Sequence, residues 1–286
     1  MGVPEMAFPF LFLKGDSMKP IKYLQTDSRW KKLPYRTKGE TSTIGSAGCG
    51  ITSSAMIISS LSGQTLIPPY TAEWSMEHGY KALNQGTSYS YFVPQLKEYN
   101  IECRRLNVTN MYGDTGRPEI VEALAELQKG NILICCMGKG NWTKSGHYIV
   151  AYQYENGYVY INDPASTKSG RELNTWALLA SQVKYIWAVT IPEKHNIVLI
   201  QNPYPEPEKS INYSKLLSNV VQKDVKWMQW ELKRIGLYIG LTDGKFGPVT
   251  KAALDTFQSQ HPETYAPKKS PDSNCGPTTR KYLKQS

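Results

Sequence analysis

The sequence predicts an α+β domain followed by a small all-α domain. Three observations support this. Between residues 20 and 191, helical patterns come first and strand-like patterns follow. A proline-rich stretch comes next, and a repeated helix-start pattern occupies the C-terminal part. With 286 residues, 40% of them hydrophobic and 20% charged, the chain can form one large and one small globular domain.

The first domain, residues 18–191, is expected to begin with helices and to end in an antiparallel sheet. Apolar periodicity predicts a helix over residues 51–61, and Pro118 at a first helical position predicts another over residues 118–129. The apolar run at residues 131–137 is typical of a buried strand and includes Cys135 and Cys136. Further strands are predicted over residues 147–154, 158–162 and 184–191, with a hairpin signal at Asn156–Gly157.

Two segments flank this domain. Residues 7–13 are apolar but too short to span a membrane, and no basic residue precedes them as in a signal peptide. We therefore interpret residues 1–17 as a leader outside the native protein, with Met18 as a native start. Residues 192–219, with alternating prolines at 203, 205 and 207, are predicted to form a semi-rigid extended linker.

The C-terminal domain, residues 220–286, contains an internal repeat. The segment DGKFGPVTKAAL at residues 243–254 aligns without gaps with DSNCGPTTRKYL at residues 272–283. Each copy predicts a turn, a Gly-Pro step and an amphipathic helix. Cys275 takes the place of Phe246 and is interpreted as a small buried hydrophobe. Trp227 and Trp230 are expected to belong to the core rather than to a ligand platform.

Charge and cysteine content limit the possible functions. A net charge of +9 favours polyanions, but does not distinguish nucleic acid, anionic lipid and bacterial wall polymers. Five cysteines, two of them adjacent, make a poor disulfide framework and indicate a reduced chain made in a cytoplasm. No metal-ligand spacing, phosphate loop or dinucleotide fingerprint is present, so we expect no metal and no cofactor, and a zinc amidase is disfavoured.

The strongest candidate for chemistry is Cys49, which stands between Gly48 and Gly50 directly before a predicted helix. The free amides and the dipole at a helix N-terminus stabilise a thiolate. The flanking glycines would let a substrate backbone approach closely. On this segment alone, a packed cysteine at a tight turn is an equally good interpretation.

A second pattern favours catalysis. His147 begins one predicted strand, and Asp163 follows the end of the next. A cysteine nucleophile needs a base, and the base needs an orienting group on its other nitrogen. A two-residue turn would put His147 and Asp163 on opposite faces of the hairpin. We therefore predict a three-residue turn over residues 155–157, which places them on one face.

An acyl-transfer site also needs donors for an oxyanion. The backbone amide of Cys49 is one candidate. The side chain of Gln25 is the other, and the alternative for Gln25 is an exposed loop glutamine.

Four segments carry a resemblance to a known family. They are QTDSRW at residues 25–30, GCGITSSAM at 48–56, GHYIV at 146–150 and NDP at 162–164. In this order they resemble the cysteine peptidases related to double-glycine leader peptidases, of the papain-like superfamily. The resemblance implies Cys49 as nucleophile, His147 as base, Asp163 as orienting residue and Gln25 as oxyanion donor. We further predict that Gly48 and Gly146 lie beside the substrate. Ile51 stands where the family usually has proline, which is favourable there but not chemically required.

The C-terminal domain resembles the peptidoglycan-binding domain of three helices found in many wall hydrolases. The resemblance is carried by VKWMQWELKRIG at residues 225–236, by DGKFGPVT at 243–250 and by the second Gly-Pro-Thr copy. On this basis we predict Tyr238, Asp243 and Arg280 as glycan contacts.

Together the two resemblances imply an endolysin-like hydrolase of phage type that cleaves amide bonds in the peptide part of peptidoglycan. It would be made in the cytoplasm without a signal peptide and would act on the wall after release. Peptidoglycan is the expected partner, with no nucleic acid and no membrane insertion, and the oligomeric state stays open. The alternatives are an N-acetylmuramoyl-L-alanine amidase with the same triad and an inactive wall-binding protein.

Overall fold

The computed structural model describes residues 19–62, 64–106, 115–191, 202–213, 223–240 and 242–286. The described residues divide into two compact units, 19–62 with 67–191 and 64–66 with 202–286. Each unit has its own hydrophobic core. Among the described residues, no helix is long and apolar enough to span a membrane.

The first unit places four helices before most of its strands. In chain order its elements are α1 (Ile44–Ala47), α2 (Cys49–Leu61), α3 (Pro68–Glu77), α4 (Phe92–Glu98), β1 (Cys103–Arg105), α5 (Pro118–Gln128), β2 (Ile132–Met137), β3 (His147–Glu155), β4 (Tyr158–Asn162), α6 (Ser169–Glu172), β5 (Leu173–Thr175), α7 (Trp176–Gln182) and β6 (Val183–Val189).

These strands form one antiparallel sheet of six in the order β1-β6-β2-β3-β4-β5. Both faces are covered. Ile120 and Leu127 of α5 pack with β2, β3 and β6 in one core. On the other face, Phe92 of α4 packs against the rings of Tyr148 and Trp187. Helix α2 is buried on all sides, including its Ser and Thr residues, and packs against α3 and β3.

The predicted elements of this unit are confirmed with small changes at their ends. Helix α2 begins at Cys49 itself, and α5 begins at Pro118 as expected. Strand β2 is buried along its whole length, with both Cys135 and Cys136 inside. The α+β fold class is therefore correct.

The predicted three-residue turn of the β3–β4 hairpin is wrong. Glu155 pairs with Tyr158, so the turn has only two residues. They are Asn156 and Gly157, both at positive φ (50° and 85°), as a type I′ turn requires. The register shifts between Ala151 and Gln153, which makes a β-bulge on β3 at Tyr152.

The bulge places His147 and Asp163 on one face of the hairpin, which is the arrangement that we expected from a three-residue turn. Beyond it, Val150 pairs with Asn162, so the next position brings Ile149 opposite Asp163. His147 lies two residues before Ile149 and therefore points to the same side as Asp163. The extra residue is in the strand rather than in the turn.

In its described residues the second unit contains three α-helices, one short pair of strands and a 3₁₀ turn at Pro262–Thr264. Its elements are β7 (Ile211–Asn212), α8 (Lys223–Arg234), α9 (Pro248–Gln260), β8 (Asn274–Cys275) and α10 (Pro277–Gln285), with β7 antiparallel to β8. Its core contains Trp227 together with Phe246 and Cys275, as predicted, whereas Trp230 is half-buried.

Two buried glutamines make equivalent hydrogen bonds in the two copies of the internal repeat. Gln229 donates through Nε2 to Asp243 Oδ1 (3.1 Å) and accepts from the Gly244 amide (2.8 Å). Gln258 donates to Asp272 Oδ1 (2.9 Å) and accepts from the Ser273 amide (3.1 Å). Each glutamine thus fixes the turn that precedes the next Gly-Pro helix start.

The linker prediction is wrong over the residues that can be checked. Residues 202–213 belong to the second unit, where Ile211 is only 4% exposed and joins the core. Asn202 Nδ2 donates to the Trp227 carbonyl oxygen (3.1 Å). Residues 192–201 and 214–219, like the leader proposed at 1–17, lie outside the described residues.

Candidate active site

The candidate nucleophile, Cys49, is the first residue of α2. Gly48 alone separates it from the end of α1. A Cβ at Gly48 would lie 2.4 Å from the Ile44 carbonyl oxygen, and a Cβ at Gly50 would lie 2.6 Å from Thr87 Cβ. Both glycines are buried. They are needed for close packing around Cys49, so the predicted substrate-binding role of Gly48 is wrong.

The surroundings of Cys49 favour its thiolate. Burial raises the pKa of the thiol, but a hydrogen bond and the positive charge from His147 outweigh burial and bring the pKa below its ordinary value. The backbone amides of Tyr148 and Gly50 also donate to the sulfur. The Gly50 amide is one of the free donors of a helix N-terminus. The contribution of the Tyr148 amide was not predicted.

His147 lies between Cys49 and Asp163. Its Nε2 is 2.7 Å from Asp163 Oδ1, which leaves Nδ1 for the thiol. Burial alone would lower the pKa of His147, but its hydrogen bonds to Asp163 and to Cys49 raise that pKa to about 9. A depressed thiol pKa and a raised imidazole pKa together favour a thiolate–imidazolium pair at neutral pH.

Asp163 is fully buried and every contact of its carboxylate favours the charged form. Oδ1 also accepts from the Ala165 amide (2.8 Å), and Oδ2 accepts from Arg171 Nε (2.5 Å). Burial raises the pKa of Asp163, but the hydrogen bond from His147, the Ala165 amide and the Arg171 charge lower it overall. Arg171 is itself held by a bond from its terminal nitrogen to the Trp142 carbonyl oxygen (2.5 Å).

Arg171 was not predicted from the sequence. It lies in the short helix α6, and no residue pattern around it indicates a functional contact. Only the path of the chain after β4 brings its guanidinium to Asp163.

Gln25 is buried beside the site, not exposed in a loop. Its backbone amide donates to the Pro164 carbonyl oxygen (2.7 Å), next to Asp163. Its Nε2 donates one proton to the Gly45 carbonyl oxygen (2.9 Å), just before Cys49 in the chain. The second Nε2 proton remains for a further acceptor. Trp30 Nε1 donates to the Leu24 carbonyl oxygen (2.8 Å) and fixes this loop.

An open cleft of about 550 Å³ gives access to Cys49 and His147. Gly146 lines it, as predicted for a residue beside the substrate, with open space around its Cα. The other lining residues are Ala82, Asn84, Gln85, Gly86, Thr87, Ser88, Tyr89, Cys136, Ser145, Tyr148 and Lys184.

One wall of the cleft, residues 82–89, is anchored by a buried ion pair. Lys81 Nζ donates to Glu40 Oε2 (2.7 Å), and the Asn84 amide donates to Glu40 Oε1 (2.9 Å). The hydrogen bond from Lys81 lowers the pKa of Glu40 to about 2. Charged hydrogen bonds of this kind hold a loop in one conformation.

Two of the predicted glycan contacts in the second unit are wrong. Tyr238 is 3% exposed and its hydroxyl oxygen accepts from Gln229. Arg280 is 6% exposed and donates to the carbonyl oxygens of Lys209 and Cys275. Both side chains hold the unit together. Asp243 is half-buried and shapes a turn, and its role in wall binding stays a prediction.

A thiol at the start of a buried helix, hydrogen-bonded to a histidine at the head of an antiparallel strand, is the arrangement expected of a papain-like cysteine peptidase. The sequence comparison agrees with this class. The chain belongs to the Peptidase_C39 like family, which it matches over residues 30–194. Residues 221–262 match a peptidoglycan binding domain. Gln25 lies before the matched range.

Solved structures of three peptidases are similar to this chain. The peptidase domain of Streptococcus ComA, a bi-functional ABC transporter of a quorum sensing pathway, is 17% identical, with 51% of this chain and 91% of that one covered and a TM-score of 0.35. A double-glycine motif protease from an AMS/PCAT transporter, solved with its leader peptide, is 17% identical, with 50% and 84% covered and a TM-score of 0.31. A C39-like peptidase from Bacillus anthracis is 15% identical, with 61% and 100% covered and a TM-score of 0.34.

No curated protein matched the chain. The family assignment therefore rests on the two domain matches. A C39-like peptidase joined to a peptidoglycan binding domain is, at the level of families, a cell-wall peptidase. Within the described residues, no group of three or more His, Cys, Asp or Glu side chains is placed to hold a metal ion.

Proposed function

We propose that this protein hydrolyses amide bonds in the peptide part of bacterial peptidoglycan through Cys49, His147 and Asp163. One observation carries the proposal. Cys49 is hydrogen-bonded to His147, His147 to a fully buried Asp163, and the pair opens into a cleft in a chain that also has a peptidoglycan binding domain.

In the first step, the Cys49 thiolate attacks the carbonyl carbon of the scissile amide. The negative charge that develops on the carbonyl oxygen is stabilised by the Cys49 amide at the helix N-terminus and by Gln25 Nε2. His147 then protonates the leaving nitrogen, and the C–N bond breaks to give a thioester. Asp163 keeps the imidazole oriented and favours its charged form throughout.

In the second step, water replaces the departed amine. Neutral His147 accepts a proton from water as its oxygen attacks the thioester carbonyl carbon. The C–S bond then breaks, which releases the acid and restores the thiolate–imidazolium pair. Arg171 supports both steps indirectly, because it keeps Asp163 ionised and in place.

The second unit would hold the enzyme on its polymeric substrate and raise the local substrate concentration. With this division of labour the protein acts as an endolysin-like, bacteriolytic enzyme of phage type. It is made in the cytoplasm and reaches the wall after release.

The first test is the loss of turbidity of Gram-positive cell walls. We expect the wild type and Cys103→Ala, a matched cysteine substitution outside the cleft, to clear the walls, and Cys49→Ala to leave them intact. Clearing by Cys49→Ala would refute the mechanism. If the wild type clears no wall but still sediments with it, the protein binds the wall without hydrolysing it.

Mass spectrometry of the same digest identifies the bond. New amino termini within stem or bridge peptides are expected for the proposed endopeptidase. Freed lactyl groups on the sugar would instead show cleavage between sugar and peptide.

A further inference from the structure

Two cations held among aromatic rings lie in and next to the cleft: Lys184 lines it, and Arg105 packs against Tyr89, which also lines it. The guanidinium carbon of Arg105 lies 4.7 Å from the ring centroid of Tyr185 and 5.8 Å from that of Tyr89. Lys184 lines the cleft, and its Nζ lies 5.8 Å from the Tyr185 centroid. Cation–π contacts of this kind restrict a flexible cationic side chain without neutralising its charge.

A second β-bulge turns Lys184 toward the cleft. Cys136 pairs with Tyr185 and Met137 pairs with Val183, so Lys184 has no partner on β2. In a regular ladder Lys184 would lie opposite Met137, on the face where Val183 and Met137 pack in the core. The bulge keeps Val183 in that core and brings the lysine to the cleft, as bulges near active sites do.

Neither cation is neutralised by the protein, as far as the described residues extend. Arg104, next to Arg105, contacts Glu122 (2.6 Å) and Glu126 (3.2 Å), whereas Arg105 and Lys184 contact no carboxylate among these residues. The described residues that line the cleft include no Asp or Glu.

Both cations lie within electrostatic reach of the cleft. Burial and the Cys49 thiolate raise the pKa of Cys136, which lines the cleft, to about 12, whereas Lys184 and Arg105 act in the opposite direction. Positive charge without an acid among the described lining residues favours an anionic ligand in this cleft.

We propose that Lys184 and Arg105 form a carboxylate-binding subsite, and that the substrate therefore carries a free carboxylate close to the scissile amide. This rests on the proposed function, since it names the class of wall peptide that the same site cleaves: acidic stem peptides rather than fully amidated ones. In this subsite Lys184 contacts the substrate carboxylate. Arg105, which packs against Tyr89 and Tyr185, adds a second positive charge that attracts the same carboxylate.

The first test needs no wall substrate. Iodoacetate and iodoacetamide alkylate the same thiolate, but only iodoacetate carries a carboxylate. We would measure the ratio of their second-order rate constants at low ionic strength, with Cys49→Ala to show that labelling occurs at Cys49. We expect the ratio to fall about twofold for Lys184→Gln and about fourfold for Arg105→Gln with Lys184→Gln together.

Arg104→Gln is the matched control, because it removes an exposed cation from the same strand without changing the cleft, and its ratio should equal that of the wild type. Dividing one rate by the other cancels any change in the reactivity of the thiolate itself. A ratio that is unchanged in the double variant overturns the subsite.

The second test uses soluble glycopeptides released from walls by a muramidase, before and after amidation of their carboxylates with carbodiimide and ammonia. For the wild type we expect kcat/KM to fall about tenfold on amidation, as for a lost hydrogen bond to a charged group. For the double variant we expect less than a twofold difference. Equal cleavage of both substrates by the wild type overturns the proposed substrate class.

The two tests separate the two proposals. If the wild type cleaves neither glycopeptide while the alkylation ratio still responds to Lys184→Gln, the proposed wall hydrolysis fails and the carboxylate subsite stands.

Discussion

Each unit of this molecule contains buried polar groups in addition to its hydrophobic core, but these groups have different roles. In the first unit, the Asp163 carboxylate accepts from His147, from the Ala165 amide and from Arg171. In the second unit, Gln229 and Gln258 bind the backbone of the turns that follow them. Both satisfy the rule that buried polar groups need partners.

The difference lies in charge. Asp163 is ionised, and it changes the protonation of a neighbour that reaches the cleft. The glutamines are neutral, and their carboxylate partners Asp243 and Asp272 are not among the described residues that line the cleft around Cys49, so their main role is to fix a conformation. Substitutions at these positions should therefore separate activity from stability.

The largest effect is expected for Asp163→Asn. A neutral amide removes the charge of Asp163 and weakens its hydrogen bond to His147, which together with Cys49 raise the pKa of His147 to about 9. The imidazolium is then lost at a lower pH, and the rate at pH 8 should fall about ten-thousandfold, by analogy with the triad aspartate of serine proteases. A pH–rate profile should show the alkaline limb moving down from about 9. An unmoved limb would mean that Asp163 does not set the charge of His147.

The counterpart in the second unit is Gln229→Ala. It removes the hydrogen bonds that Gln229 makes with the buried Gly244 amide and with the Tyr238 hydroxyl, at a cost of about 2–3 kcal/mol of that unit's unfolding free energy. Calorimetry should show a lower unfolding temperature for the second unit, while kcat/KM on soluble glycopeptides stays at the wild-type value. Loss of activity on those substrates would contradict the proposed separation.

A smaller effect is expected for Arg171→Gln. Asp163 keeps the bond to His147 but loses the bond from Arg171 Nε and its charge, so the pKa of Asp163 rises and that of His147 falls. We expect about a tenfold loss in kcat/KM and a modest downward shift of the alkaline limb. Arg171→Lys should restore part of the activity and part of the pH shift, because lysine returns the positive charge but lacks the planar guanidinium. A loss of thermal stability without any shift of the limb would indicate a purely structural arginine.

The smallest effect is expected for Gly244→Ser. Gly244 has φ 76°, and its counterpart in the other repeat copy, Ser273, has φ 52°. Since a serine already occupies this left-handed conformation once, we expect a cost of about 1 kcal/mol or less. Thermal unfolding of the variant would measure it. A much larger cost would mean that the two turns are not equivalent in their packing.

The parts of the site that depend on short-range patterns could be predicted from the sequence. Cys49 follows from glycines before an apolar helix, and His147 from the head of an apolar strand. Gln25 was proposed as part of the site only through the resemblance of a whole segment, and its role as oxyanion donor stays a prediction. The α+β class follows from the order of the periodic segments.

The rest depends on long-range packing. The Tyr152 bulge has no local signal, because a two-residue turn and a three-residue turn both suit Asn156–Gly157 until the pairing of the whole hairpin is known. Lys184 belongs to an apolar strand pattern, and only its bulge takes it out of the core. Arg171 reaches Asp163 through the path of a loop. Tyr238 is predicted as a glycan contact from the family resemblance, but an aromatic side chain suits a core as well as a binding face, and packing places it in the core.

The Tyr152 bulge also limits how this hairpin can change in length. His147 and Asp163 are 16 residues apart and face the same side only because one strand residue is unpaired. An insertion or deletion of a single residue between them reverses one side chain, whereas a change of two residues does not. In related chains that keep this pair on one face, the number of residues between the two should therefore differ by an even number. Where it differs by an odd number, the bulge should have been gained or lost as well.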